Sequence, residues 1–178
     1  MSLEGLTDLM SGNDRQIGEK MAAEGYDVAQ ICQNGHVVNK FTHRYPENNQ
    51  DFCQTCGTAT MTLCPACHTP IRGGYWDPFV DRYEVPKFCI NCGEPFPWTD
   101  LKIKAANDLA GMLESIDDSD RRMLEESIAE LTKDTPAIQV AAVKFQKVMA
   151  KAGKKAASAF RDILTDVFSE TARKILWP

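Results

Sequence analysis

The sequence predicts an α+β chain, with a small turn-rich β region at 25–98 and an all-α region at 99–178. Three observations predict it. All seven cysteines fall between residues 32 and 93. Short β-prone runs lie among them, such as Thr58 to Leu63 with its alternating threonines. From Thr99 onward, apolar residues recur at helical spacing.

The cysteines and one histidine form four pairs: Cys32-x3-His36, Cys53-x2-Cys56, Cys64-x2-Cys67 and Cys89-x2-Cys92. A structural zinc ion takes four protein ligands, so eight candidates close at two ions with no cysteine left over. No secretory signal is expected before them, and an odd cysteine count argues against a disulfide framework. The expected compartment is the cytoplasm.

Residues 1–24 read as a flexible leader. Tyr26, Val28 and Ile31 run into Cys32, and Asn34-Gly35 turns the chain before His36. Val37, Val38 and Phe41 leave as a second strand. Gly57 follows Cys56 where the backbone must turn sharply. Cys64-Pro65-Ala66-Cys67 opens a second unit, Ile71 is a strand residue, and Gly73-Gly74 begins an aromatic insert. Phe88 to Gly93 closes that unit.

Thr99 or Asp100 can cap a first helix with the stripe Leu101, Ala105, Leu109, Met112, Leu113 and Ile116. Asp117 to Asp120 caps a second, burying Met123, Leu124, Ile128 and Leu131. Thr135-Pro136 opens a third, with Ile138, Ala141, Ala142, Phe145, Val148, Met149 and Ala152 inward. Gly153 stops it. A last helix carries Ala156, Phe160, Ile163, Leu164, Val167, Phe168, Ala172, Ile175 and Leu176.

The four pairs can combine in sequence or crossed. Sequential pairing gives two tandem zinc ribbons, {Cys32, His36, Cys53, Cys56} and {Cys64, Cys67, Cys89, Cys92}. Crossed pairing gives a RING-like cross-brace. Gly57 and Gly93 follow the second and fourth pairs in the same Phe-Cys-x2-Cys-Gly context, which favours the sequential arrangement. The three-residue spacer before His36 is one longer than the common knuckle, leaving His43 and His68 as competitors; both are expected to be surface or hydrogen-bonded histidines.

Four protein ligands leave no position for water, so both sites are expected to be structural rather than catalytic. Two Zn2+ are the expected cofactors, with iron in the four-cysteine site the lesser alternative. A zinc deaminase would need H-x-E, which none of the three histidines supplies. No phosphate loop or G-x-S-x-G is present, so no enzymatic activity is expected.

Charge separates the regions. Residues 1–135 hold 12 basic and 22 acidic side chains, and 136–178 hold 8 and 3. The metal-binding region is therefore not basic, and a nucleic-acid-binding ribbon is the runner-up to a binding or adaptor module. The expected partner surface is the aromatic insert, Tyr75, Trp76, Phe79 and Tyr83. Phe160 and Phe168 are expected to add an apolar face on the last helix, for self-association or partner docking. The same helix, with its lysines and Trp177, would alternatively lie on an anionic membrane.

The segments Tyr26 to Cys32, Asn34-Gly35-His36, Ile71-Arg72-Gly73 and Arg82 to Pro86, with the tail Ser169 to Lys174, resemble a family of uncharacterised bacterial proteins. The resemblance covers residues 25–178. It implies zinc ribbons followed by a helical tail in a bacterial, cytosolic, metal-binding protein, and it brings no activity with it.

Overall fold

The computed structural model describes residues 25–76 and 83–178. The leader at 1–24 and Phe79 lie outside the described residues. The chain divides into two compact units between Thr99 and Asp100.

In the first unit, β1 (Tyr26–Val28) and β2 (Gln30–Cys32) follow one another with only Ala29 between them. They are followed by β3 (Val37–Asn39), β4 (Thr60–Met61) and β5 (Arg72–Tyr75). β1 pairs antiparallel with β5, Tyr26 opposite Tyr75. β2 is the centre of a second antiparallel sheet, ordered β3-β2-β4, with Ile31 opposite both Val37 and Met61. Ile31 and Ile71 are fully enclosed with Ala29, Cys64, Cys89, Phe96 and Trp98, and this cluster is the unit's core. Gly73 and Gly74 sit inside β5 rather than opening an insert. A Cβ on Gly73 would meet the Lys40 carbonyl, and one on Gly74 would meet the Phe41 ring.

Residues 40–51 contain one short 3-10 turn, Pro46–Asn48, and no strand. Three buried polar side chains of the sheet hold them. Asp27 accepts from the His43 and Arg44 N–H groups at 3.2 and 3.1 Å. Asn39 Nδ2 donates to the Tyr45 carbonyl and to Asn49 Oδ1. Gln30 Oε1 accepts from the Gln50 N–H, and its Nε2 donates to Thr60 Oγ1. Each of these buried side chains thereby has partners, as burial requires.

The helices are α1 (Pro97–Gly111), α2 (Asp118–Leu131), α3 (Ile138–Ala152), α4 (Lys154–Leu164) and α5 (Glu170–Leu176). Asp117 caps α2, accepting from the N–H groups of Ser119 and Asp120. Gly153, at φ +88, separates α3 from α4. The expected stripes of α2 and α3 face the second unit's core.

Three details differ from the sequence reading. α1 begins at Pro97, where a missing N–H costs nothing in a first turn. Its buried positions are Trp98, Thr99, Ala106 and Ala110. Of the expected stripe, Leu109 and Leu113 pack against the second unit's core and Ile116 is buried, while Leu101 and Met112 are exposed. The last helix is two helices: the chain turns at 165–169, and Ser169 caps α5 by accepting the Ala172 N–H.

Phe160 and Phe168 correct an expectation. Both are 0 % exposed. Phe145 meets both rings edge-on, and Trp177 stacks on Phe168 at 5.6 Å. They are the unit's own core, because the break after Leu164 folds Val167 and Phe168 inward. They offer nothing to a second copy, a partner or a membrane. No helix among the described residues is long and apolar enough to cross a membrane.

Candidate metal centres

Three of the four knuckles share one backbone device. The N–H of the residue after the second cysteine bonds back to the first cysteine's carbonyl. The pairs are Gly57 to Cys53 at 2.7 Å, His68 to Cys64 at 2.8 Å and Gly93 to Cys89 at 2.9 Å. The first cysteine's own N–H then bonds across the turn to Thr58, Thr69 or Glu94. That geometry puts the turning residue at positive φ: 71° for Gly57, 75° for Gly93 and 58° for His68. His68 thus fills a glycine position, exposed and outside both ligand groups.

The Cys32 knuckle closes differently. Gly35, at φ +87, precedes the second ligand instead of following it. Its N–H bonds to the Cys32 carbonyl, and the Cys32 N–H bonds to the His36 carbonyl. The histidine therefore stands one position beyond Gly35, immediately before β3. This accounts for the longer spacer.

The eight side chains gather into two groups that could each hold a metal ion: Cys32, His36, Cys53 and Cys56, and Cys64, Cys67, Cys89 and Cys92. The grouping is sequential. In the first, Cys32 Sγ lies 3.7 Å from Cys56 Sγ, and His36 Nδ1 lies 3.5 and 3.7 Å from the sulfurs of Cys32 and Cys53. In the second, Cys64 and Cys92 are 3.8 Å apart, and Cys67 and Cys89 are 3.6 Å apart. Four sulfurs about 2.3 Å from a central ion define tetrahedral edges of about 3.8 Å, and replacing one by nitrogen gives a sulfur–nitrogen edge of about 3.6 Å. The separations match such a shell and are far longer than a disulfide's ~2.0 Å. The donor set fits a tetrahedral thiophilic ion.

Groups around the sulfurs already favour thiolate at some positions. The Thr58 hydroxyl, 3.1 Å from Cys56 Sγ, leads in pulling that thiol down to about 5. At Cys67, burial pushes upward, but the Thr69 hydroxyl and N–H outweigh it and the thiol falls to about 6. Burial pushes Cys89 up to about 12. A bound cation would reverse that rise, since metal ligation requires the thiolate. The sequence reading missed these threonines. Their signal was present as a repeat, Cys56-Gly57-Thr58 and Cys67-His68-Thr69.

His43 is exposed, with Nδ1 3.2 Å from Asp27 Oδ1, and belongs to neither metal group. Of the aromatic insert, Tyr75 and Trp76 are 39 and 47 % exposed. Tyr83 is partly covered, packs against the first unit's core and donates its hydroxyl to the Arg72 carbonyl at 2.8 Å. It is a wall of the fold rather than a free contact.

A family model described as an uncharacterised protein conserved in bacteria (DUF2321) matches residues 25–176. No curated protein and no solved structure matches the chain.

Proposed function

The chain belongs to that family of bacterial proteins, and from this premise we propose that it is a binding or adaptor protein held in shape by two structural zinc ions. The observation that carries the reading is that each metal group supplies four protein donors at tetrahedral spacing. A shell closed by protein leaves no open position for a substrate or an activated water. The ions then serve folding, in a β region whose core is only a handful of side chains. Zinc suits both donor sets, three thiolates with one imidazole and four thiolates, without redox chemistry. Iron in the four-cysteine site would announce itself as colour.

Function on this reading lies in a surface. Tyr75 and Trp76, exposed at the end of β5, are the best candidates on the metal-stabilised unit. A protein partner fits better than nucleic acid, because residues 25–99 contain 5 basic and 7 acidic side chains and the thiolates add further negative charge. The expected site of action is the bacterial cytoplasm.

The test couples metal to capture. The tagged full chain is used to pull partners from its host, with and without chelator, and elemental analysis is run on the same preparation. Two zinc ions per chain, and capture lost on chelation and with Trp76→Ala, support the reading. Fewer than two ions, or capture indifferent to both treatments, overturns it.

A further inference from the structure

A cavity of about 570 Å3 lies where Trp76 leaves β5, lined by Asp27, His43, Arg44 and Trp76. Asp27, on β1, is 3 % exposed. Its carboxylate accepts the N–H groups of Val28 at 2.6 Å, His43 at 3.2 Å and Arg44 at 3.1 Å. The fourth contact is His43 Nδ1 at 3.2 Å. The imidazole itself is 73 % exposed.

Arg44 forms no ion pair among the described residues; its guanidinium lies 5.7 Å from the Tyr45 ring centroid. Its backbone is fixed by Asp27, and its charge is offset by no carboxylate pair among the described residues. Trp76, 47 % exposed, offers an apolar wall to the same cavity. The cavity therefore combines a cation and an aromatic face, beside a carboxylate that already accepts three backbone N–H groups.

We propose that this cavity takes an acidic side chain of a protein partner together with an apolar residue adjacent to it in the partner's chain. Arg44 pairs with the carboxylate, and Trp76 covers the apolar group. The proposal rests on the partner-binding reading above and adds the chemistry of what is bound. Charge complementarity selects this occupant. A single carboxylate meets the local cation at Arg44, whereas a polyanion also meets the net negative charge of the whole unit, felt over about 8–10 Å at ordinary salt.

The probe is an acetylated, amidated octapeptide with one glutamate followed by proline among glycines and serines, titrated calorimetrically into the metal-loaded full chain. The controls are the same octapeptide with lysine in place of the glutamate and an oligothymidylate of eight nucleotides. The glutamate peptide should bind, and the lysine peptide should not. Arg44→Glu and Trp76→Ala should each weaken it about tenfold or more, with two metal ions retained. Arg44→Gln should fall between wild type and Arg44→Glu. Equal binding of the two peptides, absence of binding by the glutamate peptide at millimolar concentration, insensitivity to Arg44→Glu, or tighter binding of the oligonucleotide each overturns the proposal. If Trp76→Ala abolishes capture of the host partner while Arg44→Glu leaves it intact, this inference fails and the docking surface stands.

Discussion

A Cβ added to Gly35 would lie 2.9 Å from the Cβ of Trp98, 63 positions later in the chain. The turn of the first knuckle rests directly on the indole. Trp98 is itself fixed, stacked on Phe96 at 4.7 Å and donating Nε1–H to the Pro86 carbonyl at 2.8 Å. Gly35→Ala therefore meets two penalties, a left-handed backbone and a wall that cannot move. The expected loss is about 2–4 kcal/mol. Gly57→Ala is the control, since nothing lies within 4 Å of its added Cβ. It should lose only the backbone share, about 1–2 kcal/mol. Denaturant melts of both metal-loaded variants check the difference, and equal losses would contradict the packing account.

His68→Gly should stabilise the chain. His68 holds φ +58 at the position where Gly57 and Gly93 stand in the sister knuckles. Glycine removes a left-handed strain of about 1–2 kcal/mol and returns part of it as added freedom of the unfolded chain. A net gain below ~1 kcal/mol is expected, with metal content unchanged. Loss of an ion from this variant would instead make His68 a ligand.

Cys53→Ser should remove the first ion and, at saturating metal, leave the second bound. Metal-linked folding of small zinc domains is on the order of 10 kcal/mol, so residues 26–61 should lose amide protection well before the helices do. Elemental analysis with hydrogen exchange reads both outcomes. Loss of both ions at once under those conditions, or of neither, would refute the sequential grouping.

Phe168→Ala should cost about 3–5 kcal/mol, the usual range for emptying a buried phenylalanine site. Phe168 is 0 % exposed between Phe145 and Trp177. Its oligomeric state, measured by sedimentation, should match the wild type under conditions where both are folded. A changed assembly with unchanged stability would return Phe168 to an interface.

The second unit should weaken at low pH through the α2 cap. The Ser119 hydroxyl, then the Asp120 N–H, hold the Asp117 carboxyl below its ordinary value. A lowered folded pKa contributes stability that is present above about pH 4, the unfolded value. It is lost as pH falls through the folded value. Lys151 has the opposite sign: bonded to both Asp120 oxygens at 2.7 and 2.8 Å, its pKa is raised. Its contribution is fully present below about pH 10.4 and is lost as pH rises through the folded value. Melts of wild type and Asp117→Asn between pH 2 and 6 should converge at the acid end. Parallel curves would show that the cap does not titrate.

The metal groups were legible because ligand chemistry is local. A C-x2-C pair declares itself within four residues, and the repeated Gly57 and Gly93 told sequential from crossed pairing. The stripes of α2 and α3 were legible for the same reason, as regular spacing such as Leu124, Ile128 and Leu131. The break after Leu164 was hidden, because Phe160, Ile163, Leu164, Val167 and Phe168 keep helical spacing straight through it. Ser169 followed by Glu170 was the available stop-and-restart signal. In the first helical stripe Leu109, Leu113 and Ile116 do face the core, but small Ala106 and Ala110 stand there where Leu101 and Met112 were expected. Asp27, Gln30 and Asn39 could not be read as buried, since their partners lie as far as 30 residues away.

Ala29 is the whole spacer between β1 and β2, yet the two strands belong to different sheets. β2 carries Cys32 of the first metal group, while β1 is hydrogen-bonded to β5, which follows the Cys64 knuckle. The Ala29 N–H itself bonds to the Ile71 carbonyl at 2.8 Å. The two metal groups are therefore joined through one continuous extended segment, and neither ribbon is a separate bead. Thermodynamic linkage follows: an empty first site loosens the strand against which the second is built, so the second ion's affinity falls with it. A chelator titration should then show positive cooperativity in release, steeper than two independent sites of the same mean affinity.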